Sequence, residues 1–153
     1  MSFAPGMNVF PGGGVSEDDL ASADPLLACA IRETKEEVDI AVPVCHLFDR
    51  WVTPEVEDQR FDVFFFVADT EEVGRLTTTE AVAMRWIDPA EALDGHRDGL
   101  LPMLRPTVLI LEALASGRVD EQLTAPPVPK LPRRRLDGRW DVVHAETNDV
   151  LVS

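Results

Sequence analysis

The stretch Arg32-Glu33-Thr34-Lys35-Glu36-Glu37 decides how this chain is read. Helical geometry sets residues three and four apart on one face, so Glu33 faces both Glu36 and Glu37. Three carboxylates packed that closely repel one another unless a cation sits among them. Hard divalent ions such as Mg²⁺ take oxygen ligands and commonly keep waters that face a substrate phosphate. For an isolated Glu-x-x-Glu-Glu the plain alternative is a solvated acidic helix face. The neighbouring residues decide between the two.

Upstream lies Phe10-Pro11-Gly12-Gly13-Gly14, which follows a short apolar stretch at 7–10 and precedes the helix by a polar loop. A run of Gly lets backbone approach a ligand closely and take positive φ values closed to other residues. A strand entering a Gly-rich turn and then an acidic helix outlines a metal–phosphate site. The Gly run alone would be an ordinary turn.

With these residues the chain resembles the Nudix hydrolases. Their signature runs Gly, five residues, Glu, seven residues, then Arg-Glu-apolar-x-Glu-Glu-x-Gly-apolar. Arg32, Glu33, Glu36, Glu37 and Ile40 fall on it position for position, and counting back eight from Arg32 places Asp24 at the first Glu. Two positions and one spacing depart from the pattern. Thr34 replaces an apolar residue, and Asp39 replaces the Gly best suited to a left-handed helix end. Ten residues rather than five separate Gly13 from Asp24. The Phe-Pro-Gly-Gly opening with an enlarged loop is similar to the branch containing coenzyme A diphosphatase-like members. Trp51-Val52-Thr53-Pro54 and Arg60-Phe61-Asp62 look like that branch too.

The resemblance implies an α/β fold, a Nudix-like α/β/α sandwich with a mixed central sheet, over residues 1–117. It implies metal-dependent hydrolysis of a diphosphate linkage in a nucleotide-type small molecule, coenzyme A-like compounds included. Glu33, Glu36 and Glu37 would hold Mg²⁺, with Mn²⁺ as a substitute, and the backbone of Gly12 and Gly13 would line the metal or phosphate. Arg32 would pair with a glutamate of the box. The general base would be Glu33 or a loop acid. Glu80 is the best loop candidate because it precedes Trp86 by six residues; its plain reading is an exposed loop glutamate. The alternative function is a non-catalytic Nudix-fold module for nucleotide binding or interaction. Only about ten residues precede the Gly run, where relatives carry opening strands. The expected compensation is an upstream extension of the gene, the C-terminal hairpin, or a second subunit in a homodimer.

Composition agrees with a small enzyme. At 153 residues the chain fits one domain with a real core. A formal net charge of −14 argues against a nucleic-acid backbone or an anionic membrane as the main partner. Cys29 and Cys45 lack metal-ligand spacing and read as reduced core residues. No signal peptide or apolar run long enough to span a bilayer is present, so the expected location is the cytoplasm.

Asp24-Pro25 opens the main helix as N-cap and first-turn proline. Leu27, Ala30, Ile31, Thr34 and Val38 recur at helical spacing as its buried stripe. Segments 42–52 and 61–68 are rich in aromatic and β-branched residues and predict strands; the run Phe64-Phe65-Phe66-Val67 predicts cover on both faces. A further strand is predicted over 82–87, a short helical turn over 89–93 behind an Asp88 cap, and a helix over 105–115 ended by Gly117. Residues 118–153 form a Pro- and Arg-rich extension. Within it, 125–132 is too rich in proline for a helix or a central strand and predicts an extended surface run. Arg133-Arg134-Arg135 is either solvated or paired with acidic surface. Segments 136–143 and 148–152 predict a hairpin packing on the Nudix-like region, with turns at Gly138 and at Thr147-Asn148-Asp149.

Overall fold

The structure, a computed structural model, describes residues 6–54 and 59–152. Residues 1–5, where the Nudix-like region was expected to begin, lie outside the described residues. The elements run in the order α1 (Glu17–Leu20), α2 (Pro25–Val38), β1 (His46–Val52), β2 (Asp62–Val67), α3 (Pro89–Arg97), α4 (Arg105–Ala115), α5 (Val119–Gln122), β3 (Pro129–Arg134), β4 (Trp140–His144) and β5 (Val150–Val152). They belong to two compact units, one of Met1–His46 and Phe66–Val119, the other of Leu47–Phe65 and Asp120–Ser153. No described helix is long and apolar enough to cross a membrane.

The first unit is built on helices with well-formed ends. Asp24 caps α2 by accepting from Leu27 N at 3.1 Å, with Pro25 in the first turn. Asp88 caps α3 by accepting from Ala90 N and Glu91 N, and this helix runs to Arg97 rather than stopping at 93. Helix α4 spans the expected residues, and Gly117 follows it at φ +69. Helices α3 and α4 share a core of Ala92, Met103, Val108 and Leu111. A separate core joins Val38, Ile40 and Val42 to Ile31, Cys45, Ala68 and Met84. Both cysteines are free thiols.

Two strands expected in this unit are absent. Residues 7–10 have no strand pairing; Asn8 is instead held by Pro102 O, which accepts from its backbone N at 2.8 Å and from its side-chain amide at 3.1 Å. Residues 82–87 are also irregular, with Val82 fully exposed. The physical reason is the lack of a ladder partner. The neighbouring extended segment gives its donors to the end of α2: Arg75 N reaches Val38 O and Thr77 N reaches Glu37 O. Segments 73–76 and 83–86 therefore face each other across an open cleft of about 440 Å³ instead of pairing.

The second unit carries a five-stranded mixed sheet in the order β2-β1-β3-β4-β5. Strands β1 and β3 run parallel, pairing Arg50 with Pro129 and Trp51 with Lys130. Strands β3–β4 and β4–β5 are antiparallel. The proline-rich segment thus supplies an internal strand, correcting the surface run expected for it. Proline can sit there because Pro129 opens the strand and Pro132 lies beyond the last register pair with β1. Side chains fix the parallel register. Asp49, buried on β1, accepts from Trp51 Nε1 at 2.9 Å and pairs with Lys130 of β3. Arg50 grips Asp62 of β2 through Nε at 2.9 Å and Nη2 at 2.7 Å and lies over the Phe64 ring. Residues 63–67 of β2 are half-buried without alternation. At the far end, Asn148 takes φ +60 in the β4–β5 turn and Gly138 takes φ +84 between β3 and β4.

Candidate functional site

Arg32 organises the acidic box. Its Nη1 donates to Glu33 Oε1 at 2.9 Å and to Glu36 Oε2 at 3.0 Å, one helical turn apart. Its other edge grips Asp19, with Nε to Oδ1 at 3.1 Å and Nη2 to Oδ2 at 2.7 Å. This two-pronged contact is the strong form of a charge-assisted hydrogen bond. Nη2 also donates to Gly14 O at 3.0 Å, tying the Gly run to α2.

Asp19 was not singled out by sequence, and a local motif puts it there. It closes a capping box with Ser16: Ser16 N donates to Asp19 Oδ2 at 2.8 Å and Asp19 N donates to Ser16 Oγ at 3.2 Å. The side chain is 4 % exposed, so the pair with Arg32 is shielded from water on the Asp19 side. The Arg32 guanidinium, followed by the Ser16 backbone N–H, holds the Asp19 carboxyl well below the usual carboxylate range. In return Asp19 pushes Arg32 up. Asp24, the acid reached by counting back from Arg32, instead caps α2. The signal for Asp19 was present in the chain, because Gly13 and Asp19 are separated by five residues, the spacing of the first half of the signature. The enlargement therefore lies between Asp19 and Arg32.

The Gly-rich segment closes over the same helix face. Gly12 N donates to Glu37 Oε2 at 3.0 Å. At Gly13 any Cβ would run into the Glu33 carboxylate, so a larger residue there would displace that carboxylate from its place. Burial pushes the Glu37 carboxyl above its ordinary value; the Gly12 N–H opposes this, while the charges of Glu33 and Glu80 add to it. Glu80 sits on an exposed loop, its backbone N donating to Thr78 Oγ1 at 3.1 Å, close enough to Glu37 for their charges to interact.

The C-terminal end of α2 tolerates both departures from the signature. Thr34 returns its hydroxyl to Ala30 O at 2.8 Å and so fits a half-buried position. Asp39 takes the left-handed conformation (φ 54, ψ 36) that a glycine would take more easily, and its carboxylate pairs with Lys35 and Arg75. Those two cations, Lys35 first, lower the Asp39 carboxyl.

The donor set is suited to a hard divalent cation: carboxylate oxygens from one helix face, the backbone of a glycine loop, and a half-buried carboxyl with acidic neighbours. Among the described residues no three acid, histidine or cysteine side chains already form a cage. Arg32 draws Glu33 and Glu36 together and Gly12 holds Glu37. Of the other candidate residues, Trp51 and Asp62 serve the sheet of the second unit through Asp49 and Arg50.

Residues 2–106 match the NUDIX domain. The chain belongs to the Nudix family. Among solved structures it is similar to a NUDIX hydrolase from Alicyclobacillus acidocaldarius, with a TM-score of 0.69 and 23 % identity, covering 83 % of this chain and 84 % of that one. At that identity the likeness establishes the Nudix fold. Among curated proteins none matches the chain.

Proposed function

We propose that this Nudix protein is a metal-dependent hydrolase that cleaves the diphosphate linkage of a nucleotide-type small molecule. The observation that carries the reading is the convergence of Glu33 and Glu37 with Gly12 and Gly13, braced by Arg32. Glu33, Glu36 and Glu37 would hold Mg²⁺ or Mn²⁺, which when bound polarises the diphosphate and acidifies a water. The chain's own residues do the rest. Glu80 or Glu33 accepts the proton as the water oxygen bonds to phosphorus and the bridging P–O bond breaks, leaving two phosphate-terminated products. Arg32 positions Glu33 and Glu36 and makes no contact with substrate in this scheme. The Gly12–Gly13 backbone leaves room for a phosphate at the carboxylates. Coenzyme A-like diphosphates are the first compounds to assay, on the resemblance of the Phe10–Gly13 opening.

The test is product release from a panel of nucleotide-linked diphosphates with Mg²⁺ and Mn²⁺, paired with thermal melts. A ligand held only by the native state raises the melting temperature by mass action, about 2.7 kcal/mol at a hundred times its Kd. Wild type should be stabilised by millimolar Mg²⁺ or Mn²⁺ and Glu36→Gln much less. An unmoved melting temperature together with no turnover on any substrate would leave the site without a metal and the reading without support.

A further inference from the structure

We propose a second, independent ligand site on the β3–β4 hairpin: a cationic cleft that takes a small oxyanion of the phosphate or diphosphate class. The cleft is shallow and open, spans about 590 Å³ and is lined by Arg133, Arg134, Arg135, Leu136, Asp141 and Val150, together with Asp137. Every one of these residues lies in the second compact unit.

Charge points to an anion. The residues lining the cleft carry three cations, Arg133, Arg134 and Arg135, against the carboxylates of Asp137 and Asp141, a net charge of +1 in a chain whose formal total is −14. Internal pairing is loose and engages two of the three arginines; Arg135 Nε lies 3.8 Å from Asp137 Oδ2. Asp141, 5 % exposed on β4, sits against two of the arginines, with Arg133 Nη2 3.3 Å from Oδ2 and Arg135 Nη1 3.5 Å from Oδ1. The second contact is an ion pair without a hydrogen bond, and among the described residues Asp141 Oδ1 has no hydrogen-bond partner. Each guanidinium offers five N–H donors, yet the three arginine side chains make one hydrogen bond among the described residues, Arg133 to Asp141. Arg134 has no carboxylate partner among the described residues. The buried Asp141 thus anchors Arg133 and Arg135 by charge while most of their donors make no hydrogen bond among the described residues; both side chains are close to half exposed.

Size separates a small anion from a polymer. The Debye length at physiological salt is about 8 Å, so a phosphate seated in the cleft responds first to the three arginines around it. A nucleic acid or a long acidic segment would carry many more negative charges than three arginines can pair. Planar guanidinium groups match the oxygen edges of phosphate, and the exposed Leu136 and half-exposed Val150 at the rim accept the organic part of a phosphate ester.

The test is calorimetric titration of the full chain with inorganic phosphate, inorganic diphosphate and a simple phosphate monoester, all in EDTA. Chelation removes any metal from the glutamate box, whose bare carboxylates repel anions, so the result does not depend on the hydrolase reading. Diphosphate should bind at millimolar concentration or tighter, and tighter than phosphate, with affinity falling as salt rises. Tighter binding of the monoester than of phosphate assigns the site to an organic ligand, and the reverse assigns it to the free anion. Arg133→Gln with Arg135→Gln should weaken binding by about tenfold or more, the loss of two charge-assisted contacts. Because that change strands Asp141, Arg134→Gln is the companion variant; it breaks no internal pair and should weaken binding several-fold with an unchanged melting temperature. Absence of binding by wild type, or equal binding by Arg134→Gln and wild type, overturns the proposal. So does salt-sensitive self-association that the same variants abolish without any anion binding, which would give the cleft to a second copy of the chain.

Discussion

Arg32 commits all three guanidinium nitrogens to acceptors, and its firmest contact is Asp19, outside the helix that carries the glutamate box. Asp19→Asn removes the charge while keeping the shape, so its effect on turnover reads the anchoring of Arg32 and through it the orientation of Glu33 and Glu36. Loss of an outer partner of a metal ligand costs about 10–100-fold in affinity or activity, and a loss of that size is expected for Asp19→Asn, with the larger part in kcat. Asp24→Asn, at the acid that counting had favoured, should leave turnover near wild type because asparagine also caps helices. Comparable loss in both variants would mean that Asp19 acts only through stability. Glu37 gives a pH signature of opposite sign to Asp19. Its folded carboxyl is raised by burial, so the folded state binds that proton more tightly than the unfolded chain. The resulting stabilisation is full below the ordinary glutamate value and is lost as pH rises through the raised one. In metal-free protein, the melting temperature of wild type relative to Glu37→Gln should therefore fall as pH climbs from 4.5. Melts in EDTA across that range check it, and a flat difference would place Glu37 in an ordinary solvated environment.

Helix α2 was legible in the sequence because every signal along it is local: the Asp24 cap, Pro25, the apolar stripe ending at Val38, and the acids of the box. Removing the cap by Asp24→Ala should cost about 1 kcal/mol, seen as a modest drop in the chemical-denaturation midpoint with catalytic constants little changed. A loss of several kcal/mol would mean that Asp24 holds more than the helix end. The elements that the sequence misplaced depend on partners distant in the chain. Residues 82–87 have the composition of a strand, but the donors of 75–77 are used by α2, and no ladder forms. The proline-rich segment reads as a surface run by composition, yet Lys130 and Asp49, 81 positions apart, bring it beside β1. Asp19 was hidden for a third reason: the extra residues that follow it shifted the count, although the five-residue spacing back to Gly13 was intact.

At the scale of the whole molecule, the C-terminal extension was expected to cover an otherwise open sheet, and it contributes three of the five strands, β3, β4 and β5. Its burial sets the size of the effect. Val142 and Val143 are 1 % and 0 % exposed, and full burial of one aliphatic side chain contributes about 1.5–3 kcal/mol. Together they approach the lower part of the roughly 5–15 kcal/mol that separates a folded domain from its unfolded state. Deleting residues 131–153 removes both valines, the rest of β3 and all of β4 and β5, and leaves Pro129 and Lys130, the residues in register with β1, at a chain end with no strand to hold them there. A strand edge uncovered in this way is a template for pairing with another chain. The shortened protein should therefore aggregate, or lose its cooperative unfolding transition, at concentrations where the full chain stays dispersed. Size-exclusion chromatography and circular-dichroism melts of the two proteins decide it. A shortened chain with the same elution volume and melting temperature as the full one would mean that β3–β5 dock on the sheet without supporting it.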